Sequence, residues 1–197
     1  DAPYSPFATI GYSEKPDVVA AKILEGRVAI AVDGTPFVLT APMLFIESFQ
    51  TAEDYYTRPL YATLLRILRI MAYFLTVFGP AIYIALTAFH QELIPTTLLL
   101  RIAGAREGTP FPVFLEALVM IFAFEILREA GVRLPRPVGQ AISIVGALIM
   151  GEAAVNAGIV GAPMVITIAV TAVAGFLVPT QSDSSAMLRI AMMIPAT

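Results

Sequence analysis

Acidic side chains interrupt stretches that are otherwise apolar enough for a lipid bilayer. Glu116 and Glu125 fall within Phe111 to Leu127, and Glu152 falls within Val138 to Val160. A carboxylate at bilayer depth costs roughly 2.5 to 3.5 kcal/mol on insertion scales, so it persists where it faces protein, a partner charge or water. The expected fold is therefore mainly α: a polytopic membrane helix bundle with a polar path or a packed polar interface inside it. Composition points the same way. Hydrophobic residues make up 58% of the chain and charged residues 14%, with a mean hydropathy of +0.81, against about 25% charged in ordinary soluble domains.

The apolar character is uneven. Residues 1–60 read as the C-terminal part of a soluble α/β domain, and residues 61–197 as a membrane domain that stops mid-structure. The absence of cysteine excludes a disulfide scaffold, a thiol nucleophile and a thiolate metal site. A net charge of −3 gives no basic footprint for nucleic acid. With one histidine and no paired catalytic groups, the chain does not read as an enzyme, and no cofactor is expected.

In the soluble part, Pro16 suits a first helical turn, and Val18, Val19, Ile23 and Leu24 recur at helical spacing up to Gly26. Two β-favouring runs, Arg27 to Val32 and Thr35 to Thr40, flank Asp33-Gly34 and predict one β-hairpin with a type I′ turn. Pro36 should confine its strand to an edge or a bulge. Pro42 to Phe49 could form a further short helix, and Thr51-Ala-Glu-Asp54 resembles a capping box.

In the membrane part, four spans are expected, at about 67–89, 111–127, 138–160 and 163–179. Ile70 to Phe89 is free of charge for 20 residues, enough to cross about 30 Å of hydrocarbon. Arg58, Arg66 and Arg69 precede it and mark its start as cytoplasmic, while His90 should lie at the opposite interface. Gly79-Pro80 should kink this span, which a bundle tolerates when neighbours satisfy the freed carbonyl. Pro95 to Ala103 is too short to span.

The third span has two faces. Ser143, Ala147, Gly151, Ala154, Gly158 and Gly161 keep small residues on one side, where another helix could approach closely. Glu152 and Asn156 fall on roughly the opposite side. They either line a polar pathway or bond to another helix or subunit. Glu116 lacks a partner in its next turn and is the other candidate for a polar pathway. Glu125 forms a candidate charge cluster with Arg128 and Glu129.

Several strings resemble the A subunit of GerA-type spore germination receptors. They are Val18-Val-Ala-Ala-Lys-Ile-Leu-Glu-Gly-Arg-Val-Ala-Ile30 with Asp33-Gly-Thr-Pro-Phe37, Phe89-His-Gln-Glu92 with Ile94-Pro-Thr96, Arg106-Glu-Gly-Thr-Pro-Phe-Pro112, and Glu116-Ala-Leu118 through Phe124-Glu-Ile-Leu-Arg-Glu-Ala-Gly-Val-Arg-Leu-Pro-Arg-Pro-Val-Gly-Gln140. The resemblance covers roughly residues 16–179. It implies a multi-pass protein of the spore inner membrane that works with a transporter-like B subunit and a lipoprotein C subunit, and that oligomerises as a nutrient-gated cation channel. It also implies that residues 1 to about 57 end a longer cytoplasmic region. This chain departs from the family pattern at Ile121, where many members carry an acid, and at Thr180 to Ser185, which replaces a Tyr-containing segment. A secondary transporter subunit, or a structural membrane subunit without a conduction pathway, remain as alternatives.

Overall fold

The computed structural model describes residues 5–133, 146 and 149–196. Of the proposed packing residues, Ser143 and Ala147 lie outside the described residues. The chain is mainly helical with a small three-stranded sheet, and it divides into two compact units.

The first unit holds the residues up to Tyr73 together with Leu177–Met187. Strand β1 (Gly11–Ser13) leads into helix α1 (Pro16–Leu24), followed by β2 (Val28–Ala31) and β3 (Val38–Ala41). Pro16 opens α1 as expected, since its missing N–H would have no helical acceptor there. The strands are antiparallel in the order β1-β3-β2, with Ala31 opposite Val38 and Tyr12 opposite Leu39.

The hairpin is present, but two details differ from expectation. Gly34 has φ +85°, whereas among the described residues none other than glycine has positive φ, so Asp33 cannot complete a type I′ turn. Pro36 falls in the connection rather than in the ladder, which lets β3 be the central strand. Strand β1 is an addition: three residues beginning with glycine carry too little alternation to be recognised.

Beyond the sheet, Phe45–Phe49 and Ala52–Tyr55 form single 3₁₀ turns. Phe45, Phe49 and Tyr73 make an edge-to-face aromatic group with centroids 5.2 to 5.7 Å apart. The polar run after Pro179 belongs to this unit. Gln181 Nε2 donates to Ser48 Oγ at 2.7 Å, and Gln181, Ser184 and Ser185 are buried.

Helix α2 (Pro59–Ala88) contributes its first half to this unit and its second half to the other. The second unit comprises Phe74–Phe176 and the residues from Leu188 on. It contains α3 (Thr96–Ala105), α4 (Val113–Arg133), the helical residues 149–156 (α5), and α6 (Ala162–Gly175). Helix α7 (Ser182–Met193) ends in it. Its core is Ile84, Val113, Ala117, Ile121, Val160, Met164, Ile168 and Met193. Ile121 is thus a core residue, and a carboxylate there would be buried among aliphatic side chains.

Among the described residues, α2 is the one helix long and apolar enough to cross a membrane. Helix α6 and the segment Pro179–Met193 would together make a second, bent by 112° as a broken or re-entrant span. Most of the expected segment 111–127 lies in α4, which carries five charged residues, and 138–160 is described only in part.

Candidate functional site

Two groups of paired charges lie in the apolar part, one around Glu116 and one around Glu125. Glu116, in the first turn of α4, is 1% exposed. Its Oε1 accepts from Arg106 Nη2 at 3.0 Å and from Thr109 Oγ1 at 3.2 Å, and its Oε2 accepts from the Gly161 N–H at 3.2 Å. Arg106 caps the C-terminus of α3, and Gly161 is the N-cap of α6. The carboxylate therefore ties together one helix end and two helix starts, and both starts favour negative charge through their unpaired N–H groups. The Arg106 stem lies close against Gly161, where a Cβ would come within 2.8 Å of its Cγ. The partner that Glu116 lacks along its own helix comes from two other segments.

A second group surrounds Glu125. Its Oε2 pairs with Arg128 Nη1 at 3.3 Å within α4, and Glu129 pairs with Arg133 at 2.5 Å. Its Oε1 faces Arg189 Nη1 of α7 at 3.5 Å. Arg189 is fully buried, and its Nε donates to the Thr76 carbonyl at 3.1 Å. Neither Arg189 nor Thr76 stands out in hydropathy, since one cation among Met187, Leu188 and Ile190 hardly lowers it. The available signal was Pro80, which leaves the carbonyl four residues earlier without its helical donor.

The chain matches the GerA family, described as Bacillus/Clostridium GerA spore germination protein, over residues 1–197. The chain belongs to the GerA family. Among its relatives, spore germination protein KA of Bacillus subtilis (strain 168) is 59% identical over 179 residues, which is 91% of this chain and 33% of the relative. Spore germination protein GerLA of Bacillus cereus is 52% identical, covering 90% of this chain and 36% of the relative. The uncharacterized membrane protein YfkQ of Bacillus subtilis (strain 168) is 52% identical over 100% of this chain and 39% of its own length. The chain thus spans little more than a third of the length of these curated relatives. No solved structure matches it.

In this GerA-family chain, α5 shows the two faces differently. Gly151 is buried, Ala154 is half-buried beside the core, and Glu152 and Asn156 are exposed. Gly158 follows the helix with φ +65°. A Cβ at Gly151 would sit 3.1 Å from Val165 Cγ1 of α6. Gly151→Leu should therefore lower stability by about 1 to 3 kcal/mol through overpacking. Ile149, exposed on the same helix, should accept leucine with little change. Thermal unfolding of the full-length protein in detergent measures both, and equal midpoints for the two variants would remove the close contact from the argument. Among the described residues, no hydrogen bond or ion pair joins Asn156 or Glu152 to the Glu116 group or the Glu125 group. His90 is exposed just after α2.

Proposed function

We propose that this chain is part of the A-type membrane subunit of a nutrient receptor that triggers spore germination, acting as an oligomeric ligand-gated cation channel or as a signal-transducing subunit. The observation that carries the reading is the family match along all 197 residues, to which relatives named as spore germination proteins add support. In this reading the protein resides in the spore inner membrane with the residues before α2 in the cytoplasm. Its partners are a transporter-like B subunit, a lipoprotein C subunit and further copies of itself.

The candidate pathway residues are Glu152 and Asn156, which α5 exposes together one turn apart, and Glu116. Arg106 neutralises Glu116, so this carboxylate would contribute polarity rather than net charge. Rings of carboxylates from symmetry-related subunits select cations, and one Glu152 per subunit would supply such a ring.

The test is the conductance of the full-length protein reconstituted with its partner subunits. Nutrient-dependent cation currents are the expected result, and Glu152→Gln should lower the preference for K⁺ over Cl⁻ while assembly persists. Saturable flux without channel currents would favour a carrier. Assembly without flux of either kind would favour a structural subunit. Loss of assembly in Glu152→Gln would place this side chain at a subunit interface.

A further inference from the structure

The proline inside α2 sets a requirement that the chain meets from more than a hundred residues away. Pro80 has no N–H, so it cannot donate to the Thr76 carbonyl one turn earlier. A buried carbonyl without a donor is unfavourable, and membrane helices tolerate interior proline where a neighbour supplies one. Arg189 Nε supplies it at 3.1 Å. The same guanidinium reaches Glu125 on α4 through Nη1 at 3.5 Å, and its Nη2 lies against Gly175 at the end of α6, 4.0 Å from where a Cβ would stand. Four helices, α2, α4, α6 and α7, meet at one side chain.

The helix α2 runs unbroken through Pro80, and the Gly79-Pro80 step is held on its other flank as well. A Cβ at Gly79 would come 2.4 Å from Thr171 Cγ2, and Thr76 Oγ1 donates to the Thr171 carbonyl at 3.2 Å. Supplying one donor to a carbonyl does not require a charge, because a neutral amide would serve. A buried cation whose carboxylate stands at 3.5 Å, and is shared with Arg128, is a costly choice for that task alone. Its particular property is that it can serve two acceptors on different helices, the Thr76 carbonyl facing Pro80 and the carboxylate of α4.

We propose that Arg189 is a positioning residue that locks a hinge at Gly79-Pro80, and that its division between the Thr76 carbonyl and Glu125 couples bending of α2 to α4 and α7. The lock stands on the geometry alone. Its role in gating rests on the function proposed above.

Spin labels at Leu64 and Ala88, on opposite sides of Pro80 in the full-length protein, read the hinge directly. One narrow distance distribution is expected for the native protein, and a broadened one for Arg189→Met, which keeps an unbranched stem but has no donor. Pro80→Ala restores the amide that Thr76 needs, so the double variant Pro80→Ala/Arg189→Met should return to a narrow distribution. An unbroadened Arg189→Met would overturn the lock. If Arg189→Met does not fold, the double variant decides: a folded protein supports the cap on Thr76, and an unfolded one overturns it.

Nutrient response provides the second measurement. Pro80→Ala, with the hinge removed, should shift the nutrient concentration for half-maximal cation release by roughly tenfold, a usual size for coupling between sites. An unshifted response in a protein that passes the distance test would overturn the coupling while leaving the cap. Absence of any nutrient response in the native protein would instead count against the proposed function, with the distance test still deciding the lock.

Discussion

Asp54→Ala should destabilise the first unit by roughly 3 to 5 kcal/mol, the usual consequence of removing one partner from a buried ion pair. The Asp54 side chain is 1% exposed. Arg69 grips it with two parallel bonds, Nη1 to Oδ2 at 2.7 Å and Nη2 to Oδ1 at 3.0 Å, and Arg66 Nε adds a third at 3.3 Å. The Thr51 N–H and hydroxyl bond the same carboxylate at 3.2 and 3.0 Å. Alanine would leave two guanidinium groups facing one another without their anion. Full-length protein in detergent, unfolded by heat and followed by near-ultraviolet circular dichroism, measures the loss, and a change below about 1 kcal/mol would show that water replaces the carboxylate.

The same group predicts a pH dependence. Arg69 above all, with Thr51 and Arg66 acting in the same direction, holds the Asp54 carboxyl well below the usual carboxylate range, against the opposing effect of burial. A carboxyl depressed in the folded state binds its proton more readily when unfolded. Its contribution is therefore fully present above about pH 4 and is lost as pH falls toward the folded value. Asp54→Asn should flatten this acid limb of the stability curve, and an unchanged limb would assign acid sensitivity to other groups.

Local signals were legible in the sequence, and distant pairings were not. Pro16, Asp33-Gly34 and Thr51 with Asp54 act over two to four residues, and each marks an element where it was expected. Arg66 and Arg69 illustrate the limit. As sequence they are a basic flank before an apolar run, yet both turn back to Asp54, 12 and 15 residues earlier. Glu116 takes Arg106 from across a turn and Gly161 from 45 residues away. Hydrophobic periodicity records which side of a helix is apolar, but it carries no information about which distant donor arrives there. Proline is the exception among the long-range cases, because Pro80 identifies the Thr76 carbonyl as one that needs a donor, though not that Arg189 provides it.

Glu116→Ala should be comparably severe, about 3 to 5 kcal/mol, because it leaves the Arg106 charge unbalanced and strips the acceptor from the buried Gly161 N–H. Glu116→Gln separates the two contributions. The amide retains one carbonyl oxygen for Arg106 and Thr109 but turns an NH₂ toward the Gly161 N–H, so one donor faces another. The net charge of the pair rises by one at the same time. A loss of about 1.5 to 3 kcal/mol is expected, the range for hydrogen bonds to charged groups. Arg106→Met keeps an unbranched stem against Gly161 while removing the cation. If the ion pair is the source of the loss, Glu116→Gln/Arg106→Met will be more stable than the sum of the single changes allows, with a coupling of at least about 0.5 kcal/mol in a double-mutant cycle. Strict additivity in thermal unfolding would mean that Glu116 holds α4 and α6 through Gly161 and Thr109 alone, with Arg106 present only for its stem.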